Sequence, residues 1–171
     1  MRIDSRQSEY SRMYDRIIES LKQTIRRAIL NELGEYGTGE FKYFPKNKED
    51  LQRILCEIFQ AYSAVSSEYN QIDTSAVIKM DRLFCDCGCP ELQENFNSPI
   101  DRWNTSNITD MSEMFSGCEE FNQNISDWDV HNVLDMYKMF ADCYEFNCNL
   151  SKWISQIGPD TDTGAMVYGA N

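Results

Sequence analysis

Residues 107–130 read NITDMSEMFSGCEEFNQNISDWDV, and the same pattern of side chains returns 25 residues further along the chain. Residues 73–84 hold an earlier copy, which aligns with residues 104–115 at an offset of 31. Chance does not keep so many apolar positions in one register, so residues 71–154 contain about 3.5 copies of one repeat. The positions that recur at the 25-residue interval include Trp103, Trp128 and Trp153; Phe96, Phe121 and Phe146; Met111 and Met136; Phe115 and Phe140; and Cys118 and Cys143.

A repeat of this length is too short for two helices and predicts one short strand and one short helix per copy. Between Val133 and Phe140 the apolar side chains recur every three or four residues, which predicts the helix. Asn132 is its expected N-cap, with Asp135 in the first turn. The polar stretch before Trp128 predicts the short strand and a corner. The apolar side chains of the repeats are expected to form an ordinary core, which includes Trp103, Trp153, Met111, Met136, Phe115, Phe140, Cys87, Cys118 and Cys143.

The repeat resembles that of the BspA-like family of leucine-rich-repeat-like proteins, which is common in bacterial surface proteins and mycoplasma lipoproteins. The resemblance covers roughly residues 72–154 and depends on the Met-Phe-x-x-Cys-x-x-Phe core at 114–121 and the Ser-x-Trp-Asp corner at 126–129. It implies a right-handed solenoid that makes protein–protein contacts and has no enzymatic activity. We therefore predict an α+β fold, a short right-handed leucine-rich-repeat-like solenoid of strand-helix repeats with an N-terminal helical cap.

Two helices are predicted before the repeats. Residues 1–36 form an amphipathic helix, which the closely spaced glycines after position 33 end. Its broad apolar stripe either packs on the domain or mediates self-association or partner docking, and a polar face with both charge signs disfavours membrane contact. Residues 37–70 contain a second helix with Asn47 as its N-cap. The apolar face of that helix, from Leu51 to Tyr62, is expected to cover the open end of the repeats.

The last segment, residues 155–171, has no periodicity and is predicted to be a C-terminal tail. Gly158, Pro159 and Gly164 favour a loop in its first part. The apolar side chains between Ala165 and Tyr168 either fold back as an edge element or stay mobile, and the sequence favours neither alternative.

Composition and charge exclude several classes of function. The chain has 171 residues, 16 Lys+Arg against 28 Asp+Glu and a formal net charge of −12, so nucleic-acid binding is not expected. No apolar run approaches the ~18 residues of a membrane span, and the polar N-terminal residues predict a cytoplasmic protein, surface-exposed or secreted only if a leader was removed. Residues 96–171 carry 3 basic and 12 acidic side chains. This acidity serves either solubility or attraction of a basic partner.

Cysteines form the one cluster that suggests chemistry, Cys85-Asp86-Cys87-Gly88-Cys89. The odd number of seven cysteines favours reduced thiols over a disulfide framework. Cys87 stands in register with Cys118 and Cys143, which predicts a buried ladder of small apolar side chains. Cys85 and Cys89 are then inert, a disulfide or redox pair, or metal ligands together with Cys87. No Cys-x-x-Cys pair is present, so we assign no metal ligand and no cofactor.

The sequence predicts a protein-binding role. His131 is the only histidine and neither a catalytic triad nor a phosphate-binding loop is visible, so an enzyme is not expected. We predict a non-enzymatic protein–protein interaction module of bacterial or phage origin, with an unidentified protein partner and contact positions at Asp101, Asp127, Trp128 and Asp129. A structural component of a virion or multi-subunit complex, homo-oligomeric through its N-terminal helix, is one alternative. A metal or redox site at residues 85–89 is the other.

Overall fold

Few regular elements are present in residues 41–170, the part of the chain that the computed structural model describes. Helix α1 spans Lys48–Ala61 and helix α2 spans Pro90–Asn95, and 3-10 helices occupy Ser67–Gln71 and Ser151–Trp153. The helix predicted for residues 1–36 and the glycines that follow it lie outside the described residues. Within residues 41–170 no helix is both long and apolar enough to cross a membrane.

Helix α1 begins after Asn47, whose side chain accepts a hydrogen bond from the backbone N–H of Asp50 at 2.9 Å. The N-cap satisfies one of the N–H groups that the first turn leaves unpaired, and acidic residues there complement the helix dipole. The apolar side chains of one face are buried against the first repeat copy. They are Leu51, Ile54, Leu55 and Ile58.

The predicted α+β solenoid of strand-helix repeats is wrong. Residues 41–170 contain no β-sheet, and the only β-type pairing between adjacent copies is a series of isolated parallel bridges, Lys79 to Asp110, Asp110 to Asp135 and Asp135 to Asp162. Residues 133–140, predicted to be a helix, form consecutive turns. The repeat unit is therefore a chain of tight turns with one bridging residue per copy.

Hydrogen bonds between copies explain why the turns replace the helix. The N–H groups of Met111, Glu113 and Phe115 donate to carbonyl groups of the next copy, 24 residues further on, at 2.8 to 2.9 Å. The acceptors are Asp135, Tyr137 and Met139. Intervening N–H groups close three-residue turns, as when Met114 donates to Met111 at 3.2 Å. An α-helix would use the same N–H groups for bonds to the residue four positions earlier. A turn of three residues and an α-helical turn of 3.6 residues place apolar side chains at nearly the same spacing along the sequence. The apolar pattern therefore does not distinguish the two structures.

One position of the repeat has a left-handed backbone in four successive copies. Arg82, Glu113, Lys138 and Ala165 occupy equivalent positions, with φ between +49° and +52°. L-residues rarely adopt this conformation because Cβ approaches the following carbonyl oxygen, and a single such residue ends a helix. The four repeated values show that this reversal belongs to the repeat.

Two columns of phenylalanine rings form the centre of the core. Phe115 and Phe121 lie 4.1 Å apart within one copy, and Phe115 lies 5.7 Å from Phe140 in the next. Trp103 and Trp128 are stacked with nearly parallel rings, 6.2 Å apart. The aromatic side chains that are buried in this way are Phe84, Phe96, Phe115, Phe121, Phe140, Phe146, Trp103, Trp128 and Trp153.

The asparagine expected to cap a helix links two copies instead. The side-chain amide of Asn132 donates to the carbonyl oxygen of Ser106 at 2.7 Å, and its equivalent Asn107 donates to Ser75 at 2.9 Å. Because no helix begins here, Asn132 has no N–H groups to cap. It satisfies a turn carbonyl of the preceding copy.

The C-terminal segment forms a further copy. The N–H groups of Met136, Lys138, Phe140 and Asp142 donate to the carbonyls of Asp162, Gly164, Met166 and Tyr168 at 2.7 to 3.0 Å. These are the same bonds that join the earlier copies, here at an offset of 26 residues. Of the two alternatives for residues 165–168, the structure therefore has the folded-back edge element.

Candidate functional site

The last copy leaves a row of backbone donors without acceptors. Thr163, Ala165, Val167 and Gly169 follow the register of Met136, Lys138, Phe140 and Asp142, each of which donates to the next copy. Among the described residues, none of these four N–H groups has an acceptor. We call this row of four residues the C-terminal edge.

Apolar surface accompanies the C-terminal edge. Val167 is 56% exposed and Tyr168 is 67% exposed, whereas their equivalents in the preceding copy, Phe140 and Ala141, are buried. An exposed row of backbone donors beside apolar side chains is a template for pairing with another chain. The C-terminal edge thus combines the two features of a strand-addition site.

The opposite end of the repeats is covered by α1. The Gln52 side-chain amide donates to the carbonyl oxygen of Leu83 at 3.1 Å, and Lys48 forms an ion pair with Asp81 at 2.6 Å. The Cys56 sulfur atom lies 3.0 Å from the carbonyl oxygen of Cys87. In the row that continues into the C-terminal edge, the N–H groups donate to the following copy, whereas Leu134 and Asp162 donate to the preceding one. Helix α1 therefore covers the end of the repeats opposite the open donor row.

The predicted contact positions have separate surroundings. Asp101 accepts a hydrogen bond from the Asn70 side chain at 2.9 Å, and Asp127 forms an exposed ion pair with Lys152. Asp129 contacts the imidazole of His131, and this hydrogen bond lowers the pKa of the Asp129 carboxyl group. These three carboxylates remain at the surface.

Trp128 does not belong with them. Its side chain is only 2% exposed, and its indole N–H donates to the carbonyl oxygen of Ile100 at 3.2 Å. A buried, hydrogen-bonded indole offers no surface to a partner. The prediction that Trp128 is a contact position is therefore wrong, and Trp128 is a core residue. The polar residues Ser126 and Asp127 before Trp128 lie in a turn, and the ring is directed inward.

Three cysteines meet where α1 crosses the first copy. The sulfur atoms of Cys56, Cys87 and Cys89 all lie within 4.8 Å of one another. A disulfide joins Cys56 and Cys89, whose Cα atoms are 6.3 Å apart, so the expectation of reduced thiols throughout is wrong for this pair. Cys87 stays free, and burial raises the pKa of its thiol group.

Cys85 is not part of this group. Its thiol group lies 3.3 Å from the carbonyl oxygens of both Glu113 and Ser116, and burial raises its pKa to about 11. Sequence reasoning grouped Cys85 with its neighbours and missed Cys56. The available signal was the position of Cys56 near the apolar face of a helix that was expected to cover the repeats.

The remaining ladder of cysteines is mostly buried. Cys118 and Cys143 are fully buried, whereas Cys87 is half-buried. The Cys143 thiol group lies 2.9 Å from the carbonyl oxygen of Phe115, and burial raises its pKa to about 12. Such a thiol stays protonated at neutral pH and is a poor nucleophile.

Comparison with known proteins identifies a family. A family model described as "Mycoplasma protein of unknown function, DUF285" matches residues 53–171. The matched region begins inside α1 and includes the three-cysteine group, all the repeat copies and the C-terminal edge. No curated protein and no solved structure matches the chain.

Proposed function

This chain belongs to the DUF285 family of mycoplasma proteins, and we propose for it the role of a non-enzymatic protein-binding module that takes an extended segment of a partner at its C-terminal edge. The finer kinship with BspA-like surface repeats is part of this proposal. Its support is the Met-Phe-x-x-Cys-x-x-Phe core at residues 114–121 and the recurrence of that pattern.

The row of four unpaired N–H groups is the observation that carries the proposal. A backbone donor that loses water without gaining an acceptor costs about 1–3 kcal/mol, so the edge favours a partner that brings its own carbonyl groups. Chains that add to an exposed edge gain affinity from backbone hydrogen bonds and specificity from alternate side chains. A bound segment would also cover Val167 and Tyr168.

A second copy of this chain is a poor occupant. Two C-terminal edges placed face to face would present donors to donors. A head-to-tail arrangement would need the opposite end of another copy, where α1 lies and Gln52 already donates to the carbonyl oxygen of Leu83. The favoured occupant is therefore an extended segment of a different protein.

Charge narrows the class of partner further. Residues 96–171 carry 12 acidic and 3 basic side chains. Basic residues beside the bound segment would be attracted to this surface, mainly through a faster association rate. Asp101, Asp127 and Asp129 remain the predicted positions for such contacts.

A peptide that imitates the natural neighbour of a copy tests this proposal. Residues 134–142 offer the carbonyl groups that accept from the preceding copy, so a synthetic peptide of this sequence with two lysines at each end is a suitable probe. Its binding to the full chain is measured by fluorescence anisotropy. Val167→Pro removes one N–H group of the edge, whereas Val167→Ala keeps it and removes only apolar surface.

Val167→Pro should weaken peptide binding about tenfold relative to Val167→Ala, since one unpaired carbonyl costs about 1.4 kcal/mol or more. Far-UV circular dichroism and urea unfolding verify that both variants fold. Absence of binding to the wild-type chain, or equal binding by the two variants and by a scrambled peptide, would reject the edge as the site.

The assembly alternative depends on residues 1–36. Those residues lie outside the part of the chain that the structure describes, so oligomerisation through that segment stays a prediction. Deletion of residues 1–36, followed by sedimentation analysis, distinguishes it from the binding role, because only the assembly alternative requires the oligomer to disappear.

A further inference from the structure

We propose that Cys56, Cys87 and Cys89, when reduced, bind one thiophilic metal ion such as Zn²⁺, which then fastens α1 to the first repeat copy. Within residues 41–170 these three are the one group of metal-ligating side chains whose donor atoms converge, all within 4.8 Å. They come from two separate elements, α1 and the turn before α2. Neither the family description nor the binding role assigns a function to them.

The geometry suits a tetrahedral thiolate site. Zinc–sulfur bonds of about 2.3 Å at tetrahedral angles place two sulfurs of one site about 3.8 Å apart. The three sulfur atoms here need to move little to reach that spacing. Three protein ligands leave the fourth position to water or a ligand from solution, as in zinc sites that keep an open position.

The local backbone directs two of the ligands. Gly88 separates Cys87 from Cys89 and has a φ of +75°, a conformation that side-chain-bearing residues rarely adopt. An ideal Cβ at Gly88 would contact no atom within 4 Å, so glycine serves the reversal of the chain and not a lack of space. The reversal lets both flanking sulfur atoms approach Cys56.

Burial disfavours three thiolates in one place unless a cation joins them. All three cysteines are partly buried. A bound Zn²⁺ ion offsets that penalty because its charge stabilises the thiolates, and binding releases the thiol protons to solvent. The metal thus stabilises the cap and the first copy together.

The disulfide and the metal exclude each other. The Cys56–Cys89 bond consumes two of the three ligands. A dithiol or phosphine reductant supplies the two electrons that convert this bond to two thiol groups, with two protons from solvent. The three thiol groups then lose their protons as three sulfur–metal bonds form.

Cobalt titration of the reduced full chain tests the site. After reduction with a phosphine, Co²⁺ should bind at one ion per chain with a sulfur-to-cobalt charge-transfer band in the near ultraviolet, and Zn²⁺ should abolish the band. Cys56→Ser, Cys87→Ser and Cys89→Ser should each lower the Co²⁺ affinity at least about tenfold, because even outer-shell changes have effects of that size.

Cys85→Ser is the matched control, since Cys85 lies in the same short motif but faces Glu113 and Ser116. It should keep both the band and the affinity. A second measurement needs no variant: Zn²⁺ should protect Cys56, Cys87 and Cys89 of the reduced wild-type chain from alkylation by a maleimide and leave Cys148 reactive. Absence of the band at one equivalent, equal loss in Cys85→Ser and Cys87→Ser, or equal alkylation with and without Zn²⁺ would overturn the proposal.

Discussion

Substitutions at Lys138 distinguish a turn from a helix, because the φ of Lys138 is +52°. In this conformation Lys138→Gly removes about 1 kcal/mol of backbone strain and loses a comparable amount through the freedom of glycine in the unfolded chain. It also loses the contact of the Lys138 ammonium group over the Tyr137 ring, 5.2 Å away, worth about 0.5 kcal/mol. The net change in the free energy of unfolding is within about 1 kcal/mol of zero.

Lys138→Val has a different outcome. A β-branched side chain at positive φ is strongly disfavoured, and residues held in sparsely populated backbone regions cost about 1–3 kcal/mol. The glycine variant should therefore be more stable than the valine variant by about 2 kcal/mol. In a helix the order would be the reverse, with valine ahead by a few tenths of a kcal/mol.

Urea unfolding followed by tryptophan fluorescence measures the order directly. Leu134 is the matched control, since it is exposed, lies in the same turn region and is not among the described residues with positive φ. There glycine should be the less stable variant, by about 0.5–1 kcal/mol. A valine variant of Lys138 at least as stable as the glycine variant would refute the left-handed turn.

Three further outcomes are expected. Phe115→Ala should lower the free energy of unfolding by about 3–5 kcal/mol, whereas Tyr144→Ala, at a half-exposed ring, should change it by less than about 0.5 kcal/mol in the same urea experiment. Burial raises the pKa of Cys143 from 9.0 to about 12, so the folded state keeps a proton that the unfolded chain loses. The free energy of unfolding should thus fall as the pH rises from 9 towards 12, and it should fall less in Cys143→Ala. If the slope of the free energy of unfolding against pH were the same in Cys143→Ala and in the wild-type chain, the burial effect would be contradicted. His131→Ala should raise the pKa of Asp129 in an NMR titration, because the hydrogen bond that lowers it is lost; an unchanged value would show that another group lowers it.

The neighbours of each core side chain follow from the sequence, but the backbone conformation does not. A 25-residue interval places Phe115 beside Phe140 and Trp103 beside Trp128, and the structure has both contacts. Glutamate and lysine at positions 113 and 138 are ordinary helix formers, so nothing local signals their left-handed backbone. The conformation is imposed by hydrogen bonds to the next copy, which no single copy reveals.

The sequence pattern did not predict the C-terminal copy, because its side chains differ from those of the other copies. Thr163 and Val167 stand where earlier copies have methionine and phenylalanine, and the offset from Asp135 to Asp162 is 27 residues instead of 25. Only Asp162 and Met166 keep the pattern. The disulfide was equally hidden, because Cys56 and Cys89 are 33 residues apart and meet only after α1 packs on the repeats.

The identical hydrogen bonding between copies also determines how the number of copies in such a gene can change. Met111 donates to Asp135, and Met136 donates to Asp162 through the same atoms. An in-frame tandem duplication of one 25-residue unit would insert a copy whose donors and acceptors find the same partners on each side. The number of copies is therefore a quantity that a single duplication or deletion can alter while the cap at one end and the edge at the other stay as they are.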